Sequence, residues 1–182
     1  MRPLNLIGGG HNNQSFRKIK IASGYDTNIV TGDIVKLVAA GTIEKDAGTT
    51  ACTPIGVFVG CEYTDPSLGY LLHNDLWPAD TVASDAYAYV VDDPDMLFQI
   101  QADDAVTQAM LGSNFAVVQG TANTALGRSG VALDGDSTAT TNTLPLRLVD
   151  FVDGPFSTVG DAYTDCIVKW NAGHAYGNAT GV

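Results

Sequence analysis

The residues that could do chemistry are few and poorly spaced for it. His11, His73 and His174 lie far apart, without the HExxH or HxH spacing that sets two imidazoles on one metal ion. Cys52, Cys61 and Cys166 are odd in number and form no CxxC pair. They read as buried reduced thiols, with a metal site or one disulfide as the alternatives. Asp92, Asp93 and Asp95 crowd around Pro94. Such a cluster can serve acid–base work or hold a cation. Between two apolar runs it reads first as a turn, because Asp side chains bond the local backbone and Pro fixes φ. Asp134-Gly135-Asp136 opens like a calcium loop but lacks the later oxygen ligands and the closing Glu. Ser129, in Gly127-Arg128-Ser129-Gly130, is not on a GxSxG elbow. Gly8-Gly9-Gly10 lacks the GK[ST] ending of a phosphate loop and reads as a flexible joint.

Binding residues are equally sparse. Arg128 and Arg147 stand out because basic residues are rare in the body of the chain; each reads as a carboxylate partner within or between subunits, with a substrate clamp as the alternative. Trp77 and Trp170 read as core or interface residues, and Trp77 joins the two arginines as a candidate for a subunit interface. Trp77, Tyr70 and His73 are the loose candidates for stacking on a sugar. No catalytic, cofactor-binding or metal-binding set emerges, so the expectation is a protein without cofactors that is not an enzyme.

The 182 residues suffice for one domain with a real core, or one domain plus an arm. Charged residues are only 16%, against a usual quarter, and 20 glycines punctuate the chain. That composition excludes a coiled coil, a highly charged disordered chain and a helical bundle. No apolar run approaches about 18 residues, and the start has no apolar stretch long enough for a secretory signal. The net charge of −11 is unevenly placed. Arg2, Arg17, Lys18 and Lys20 precede the first acid, Asp26; the rest carries 5 basic and 20 acidic residues, a net −15. Such a body repels phosphate backbones, which argues against nucleic acid as a partner.

The elements that would position these residues are mostly strands. Lys18 to Ala22 alternates polar and apolar. Further strands are expected over 32–38, 41–45, 54–63, 87–91, 96–101, 115–119, 144–151 and 165–170, with Gly56 and Gly60 marking a bulge or a close backbone approach. One helix is expected over 103–112, acidic at its start and closed by Gly112, with Val106, Ala109 and Met110 toward the core. Residues 121–143 read as a long polar loop. The fold class is therefore mainly β: an antiparallel β barrel or sandwich with one short helix and an extended N-terminal arm. The organisation is arm 1–17, β-rich body 18–172 and flexible tail 173–182. An extended arm of this length reaches roughly 60 Å, far beyond a body of about 16 Å radius of gyration, and makes sense lying on another protein.

Several segments, taken in order, carry a family likeness. They are Arg2-Pro3-Leu4-Asn5-Leu6 with Lys18-Ile19-Lys20-Ile21 after a spacer; Val30-Thr31-Gly32-Asp33-Ile34-Val35-Lys36-Leu37; and Pro54-Ile55-Gly56-Val57-Phe58-Val59-Gly60. Tyr89-Val90-Val91-Asp92-Asp93-Pro94-Asp95 then leads into Leu97 to Gln101, before Gly127 to Gly130, Leu133-Asp134, Ala139 to Arg147 and Cys166 to Asn171. Together they resemble the decoration, or cement, proteins of tailed-bacteriophage heads, a family of virion structural proteins. The resemblance implies a protein made in the host cytoplasm and placed on the outer surface of the phage head. Its partners would be the major capsid protein and itself, as a homotrimer with a dimer as the alternative, and no membrane. On this view Leu4, Leu6 and Ile7 are apolar capsid anchors, Arg2, Arg17 and Lys18 meet acidic capsid patches, and deleting 1–15 leaves the body folded. The alternatives are a head–tail connector or tail-surface component, or a carbohydrate-binding module on the virion surface.

Overall fold

The computed structural model describes residues 1–10, 15–152 and 154–177. Parts of the expected arm (11–14) and tail (178–182) lie outside the described residues. Fifteen strands succeed one another in chain order among the described residues: β1 (Arg2–Leu6), β2 (Arg17–Lys20), β3 (Ile29–Val30), β4 (Ile34–Leu37), β5 (Ile43–Lys45), β6 (Pro54–Thr64), β7 (Leu71–Asn74) and β8 (Leu76–Trp77). Then come β9 (Tyr87–Val91), β10 (Met96–Gln101), β11 (Asn114–Phe115), β12 (Val117–Asn123), β13 (Arg128–Leu133), β14 (Leu146–Phe151) and β15 (Asp165–Trp170). The mainly β, antiparallel expectation holds; the sheets form a sandwich-like arrangement and do not close into a barrel.

One sheet has the order β1-β10-β15-β14-β11 and the other β2-β9-β6-β4-β5, with β7 also on β6; β12-β13 and β3-β8 are separate ribbons. Alternation along β10 and β15 sends Met96, Phe98, Ile100, Cys166, Val168 and Trp170 into the core between the two large sheets. The opposite face of the second sheet is also apolar. There Ile19, Val35, Phe58, Cys61, Ala88 and Val90 meet Ile29 and Trp77 of the small β3-β8 ribbon. Strand β6 serves both cores: Val57 packs in the first and its neighbour Phe58 in the second.

Two irregularities let β6 do this. Its register with β4 slips around Ile55, and its register with β9 slips around Val59. Each extra residue reverses the parity of the strand beyond it, so Cys61 and Tyr63 stay on the Phe58 side. The expected glycines sit beside these slips. A Cβ on Gly56 would fall 2.2 Å from the Val91 carbonyl oxygen, so only glycine permits this approach of β6 to β9.

Three expectations need correction. The helix over 103–112 is absent; a single 3₁₀ turn covers Gln108–Met110, Val106 is buried, and Ala109 is exposed. Tertiary partners take the backbone groups a helix would use: Asp103 N–H bonds Leu133 O, Val106 N–H bonds Thr164 Oγ1, and Val106 O accepts from Gly160. Residues 121–143 are not one loop, because Val117–Asn123 and Arg128–Leu133 pair as a hairpin. The described start of the tail is docked: Ala175 N–H bonds Pro54 O, and His174 is buried.

Candidate functional site

Residues 1–10 do not extend away from the body. Arg2 pairs with Gln99, Pro3 with Phe98 and Leu6 with Met96, making β1 the edge of the first sheet. The Met1 ammonium donates to Gly32 O at 2.9 Å, and burial lowers its pKa to about 6. Gly32 has φ +95°, and a Cβ there would stand 2.9 Å from both the nitrogen and the oxygen of Met1. Gly8-Gly9-Gly10 folds the chain back, with Gly9 N–H bonding Leu6 O and Leu6 N–H bonding Gly10 O. The expectation of a free arm is therefore corrected for these residues. The reason is the open side of β10, whose ladder and apolar face are completed by β1.

The six proposed anchors divide accordingly. Leu6 packs against the core and Leu4 is half-buried, so neither is a free tether; Arg2 and Ile7 remain exposed. Arg17 pairs with Asp92 at 2.8 Å and lies over the Tyr176 ring, while Lys18 pairs with Glu62 at 2.6 Å.

Glu62 belongs to a polar and aromatic cluster on the β2-β9-β6-β7 sheet. Its second oxygen accepts from the Tyr89 hydroxyl, His73 Nδ1 lies 3.1 Å from that hydroxyl, and the rings of Phe16 and Tyr89 are 4.7 Å apart. The Lys18 hydrogen bond, then that of Tyr89, holds the Glu62 carboxyl below its ordinary range. Burial, then the bond to Glu62, pushes Tyr89 up to about 12. Tyr89 is thus held protonated and the carboxylate is satisfied twice. The cluster ties four strands together.

Ser129 is likewise engaged. Its hydroxyl donates to Asp33 Oδ1 and accepts from Val131 N–H. Asp33 is fully buried and also accepts from Val30 N–H and Lys45 Nζ.

Of the readings of Trp77, core holds, while interface residue and sugar platform are corrected. Its exposure is 0%, because β8 closes the second core with the indole edge-on to Tyr63. Arg147 Nε bonds the Asn114 side-chain oxygen, not a carboxylate. Arg128 is exposed beside Met1 and Arg2, on the rim of a cleft. Asp93 accepts from Asp95 N–H, which bears out the expected turn. Cys52, Cys61 and Cys166 are free and buried, and burial pushes each thiol up to about 12. Among the described residues no group of His, Cys, Asp and Glu could hold a metal, and no helix is long and apolar enough to cross a membrane. His11 lies outside the described residues.

The sequence reading missed the most exposed large apolar side chain among the described residues. Phe156 is 98% exposed at the tip of a two-residue turn, which Gly154 and Ser157 close by mutual backbone bonds of 2.9 and 3.3 Å. Tyr163, on the same β14–β15 connection, is also exposed. The local signal was Gly154-Pro155, a turn opener directly before an aromatic. No family model matches the chain, and neither curated proteins nor solved structures give a match.

Proposed function

We propose that this chain is a capsid decoration protein that binds the outer surface of a tailed-phage head and stabilises the seams between capsomers. The observation that carries this reading is Phe156, presented to solvent on a hydrogen-bonded turn. Covering such a side chain contributes about 1.5–3 kcal/mol per copy. The turn is already ordered, so little conformational entropy is lost on docking. The likeness of the ordered sequence segments to phage cement proteins supplies the virion context. Attachment is assigned to this hydrogen-bonded turn and not to a trailing arm.

The partners are the major capsid protein and further copies of the chain, as a trimer or a dimer, and the role is structural, not enzymatic. A protein that binds the mature shell and not its dissociated parts stabilises the shell by mass action. The acidic body keeps free copies apart in solution. The test is co-sedimentation of the purified chain with heads lacking it, with the bound copies counted per particle. Saturation in proportion to capsomer number supports the proposal. A few copies at one vertex would instead indicate a connector, and no binding would reject both.

A further inference from the structure

Of the 9 basic residues, Arg17, Lys18, Lys45 and Lys169 have carboxylate partners. Arg2 and Arg128 have none among the described residues, yet 126 positions apart in sequence they line one cleft of about 400 Å³. Both are rooted in ordered backbone. Arg2 is paired with Gln99 in the sheet. Arg128 bridges to Thr31, reinforced by Ser129 N–H bonding Thr31 O. Between them β1 meets β10 as far as Gln99 and β13 meets it at Ala102 through a bridge to Leu133, so Ile100 and Gln101 floor the cleft between the two contacts. Gln99, Gln101 and Thr31 line the same space; Asp165 does too, holding the Gln99 amide at 3.4 Å.

We infer that this cleft is a binding site for an extended acidic peptide segment of a partner protein. Two guanidinium groups present forked donors that match carboxylates. The exposed Gln101 side chain beside them can donate to and accept from a peptide backbone. The volume suits a few residues. A long polyanion such as nucleic acid is disfavoured by the surrounding charge of −11, whereas a short segment places its carboxylates only at the two arginines. This inference does not depend on a capsid being the partner's home.

The test uses the full chain and a fluorescein-labelled hexapeptide of alternating Glu and Val, read by anisotropy at low salt, with a Gln-for-Glu peptide and inorganic phosphate as comparators. The Glu peptide is expected to bind, the Gln peptide about tenfold or more weakly, and Arg2→Gln or Arg128→Gln each to weaken the Glu peptide about tenfold. Both arginines are exposed, so melting of the variants monitors folding independently. Absence of binding, equal binding of the two peptides, variants without effect, or full competition by phosphate at concentrations comparable to the peptide would each overturn the inference. The last result would mark a small-anion site.

Discussion

Ser129 donates its hydroxyl to Asp33 at 2.5 Å across 96 positions of sequence, and so fastens the β12–β13 hairpin to the double-faced sheet. The same carboxylate receives Lys45 at 2.9 Å and Val30 N–H at 3.0 Å. Asp33→Ala would leave a half-buried ammonium and two donors without their acceptor. A loss of about 3–5 kcal/mol is expected, against about 1–2 kcal/mol for Ser129→Ala. Urea unfolding of both variants measures the difference, and equal midpoints would refute the central place given to Asp33.

The docking of the first residues has a sharp test. Gly32→Ala places a Cβ against Met1 at a φ of +95°. It should cost about 1–3 kcal/mol, or detach residues 1–7 from β10. Leu6→Asp should cost about 2 kcal/mol or more, because Leu6 packs on the core, while Ile7→Asp should stay within about 0.5 kcal/mol. A free tether would make Leu6→Asp as silent as Ile7→Asp in thermal melts.

Acid should weaken the docked tail through His174. Burial lowers its pKa below 6.5, although Asp92 and Asp93 pull the other way. Between the folded value and the ordinary one the unfolded chain binds more protons. Stability contributed by neutral His174 is therefore complete above pH 6.5 and lost as pH falls through the folded pKa. His174→Phe keeps a ring beside Trp170 and Tyr176 and should remove this part of the slope. Urea midpoints of both proteins across that range provide the comparison; parallel curves would dismiss His174 as the titrating group.

The thiols should be inert in the native state. With all three buried and pushed up to about 12, a thiol reagent at neutral pH should label none of them until the chain unfolds. Fast labelling of one cysteine would contradict its placement.

Phe156→Ser tests the proposed function apart from stability. The side chain touches solvent almost everywhere, so melting should stay within about 0.5 kcal/mol of the parent. Head binding should weaken by roughly ten- to a hundredfold. Unchanged occupancy on heads would remove Phe156 as the anchor.

The strands with strict alternation, β10 and β15, were legible in the sequence, as were the slips beside Gly56 and Gly60. Local pattern and local geometry coincide there. Failure came where partners are remote. Nothing near Arg2 to Leu6 names Met96 to Gln99 as its mate, so an edge strand reads as an arm. Gln119-Gly120-Thr121 has poor strand propensity, but Gly120 faces Gly130 so closely that a Cβ on it would stand 2.2 Å from the Gly130 oxygen. The acidic start of 103–112 satisfied helix rules that Thr164 and Leu133 override. Of the site residues, Arg128 was legible as an unusual charge, whereas its nearness to Arg2 depends on the whole topology. Trp77 stayed open between core and interface because a lone tryptophan carries no sign of whether it faces in or out.

Because Val57 and Phe58 are consecutive yet belong to different cores, β6 is a party wall. Neither compartment can be opened without stripping the lining of the other. A lesion at this strand is therefore felt in both halves at once.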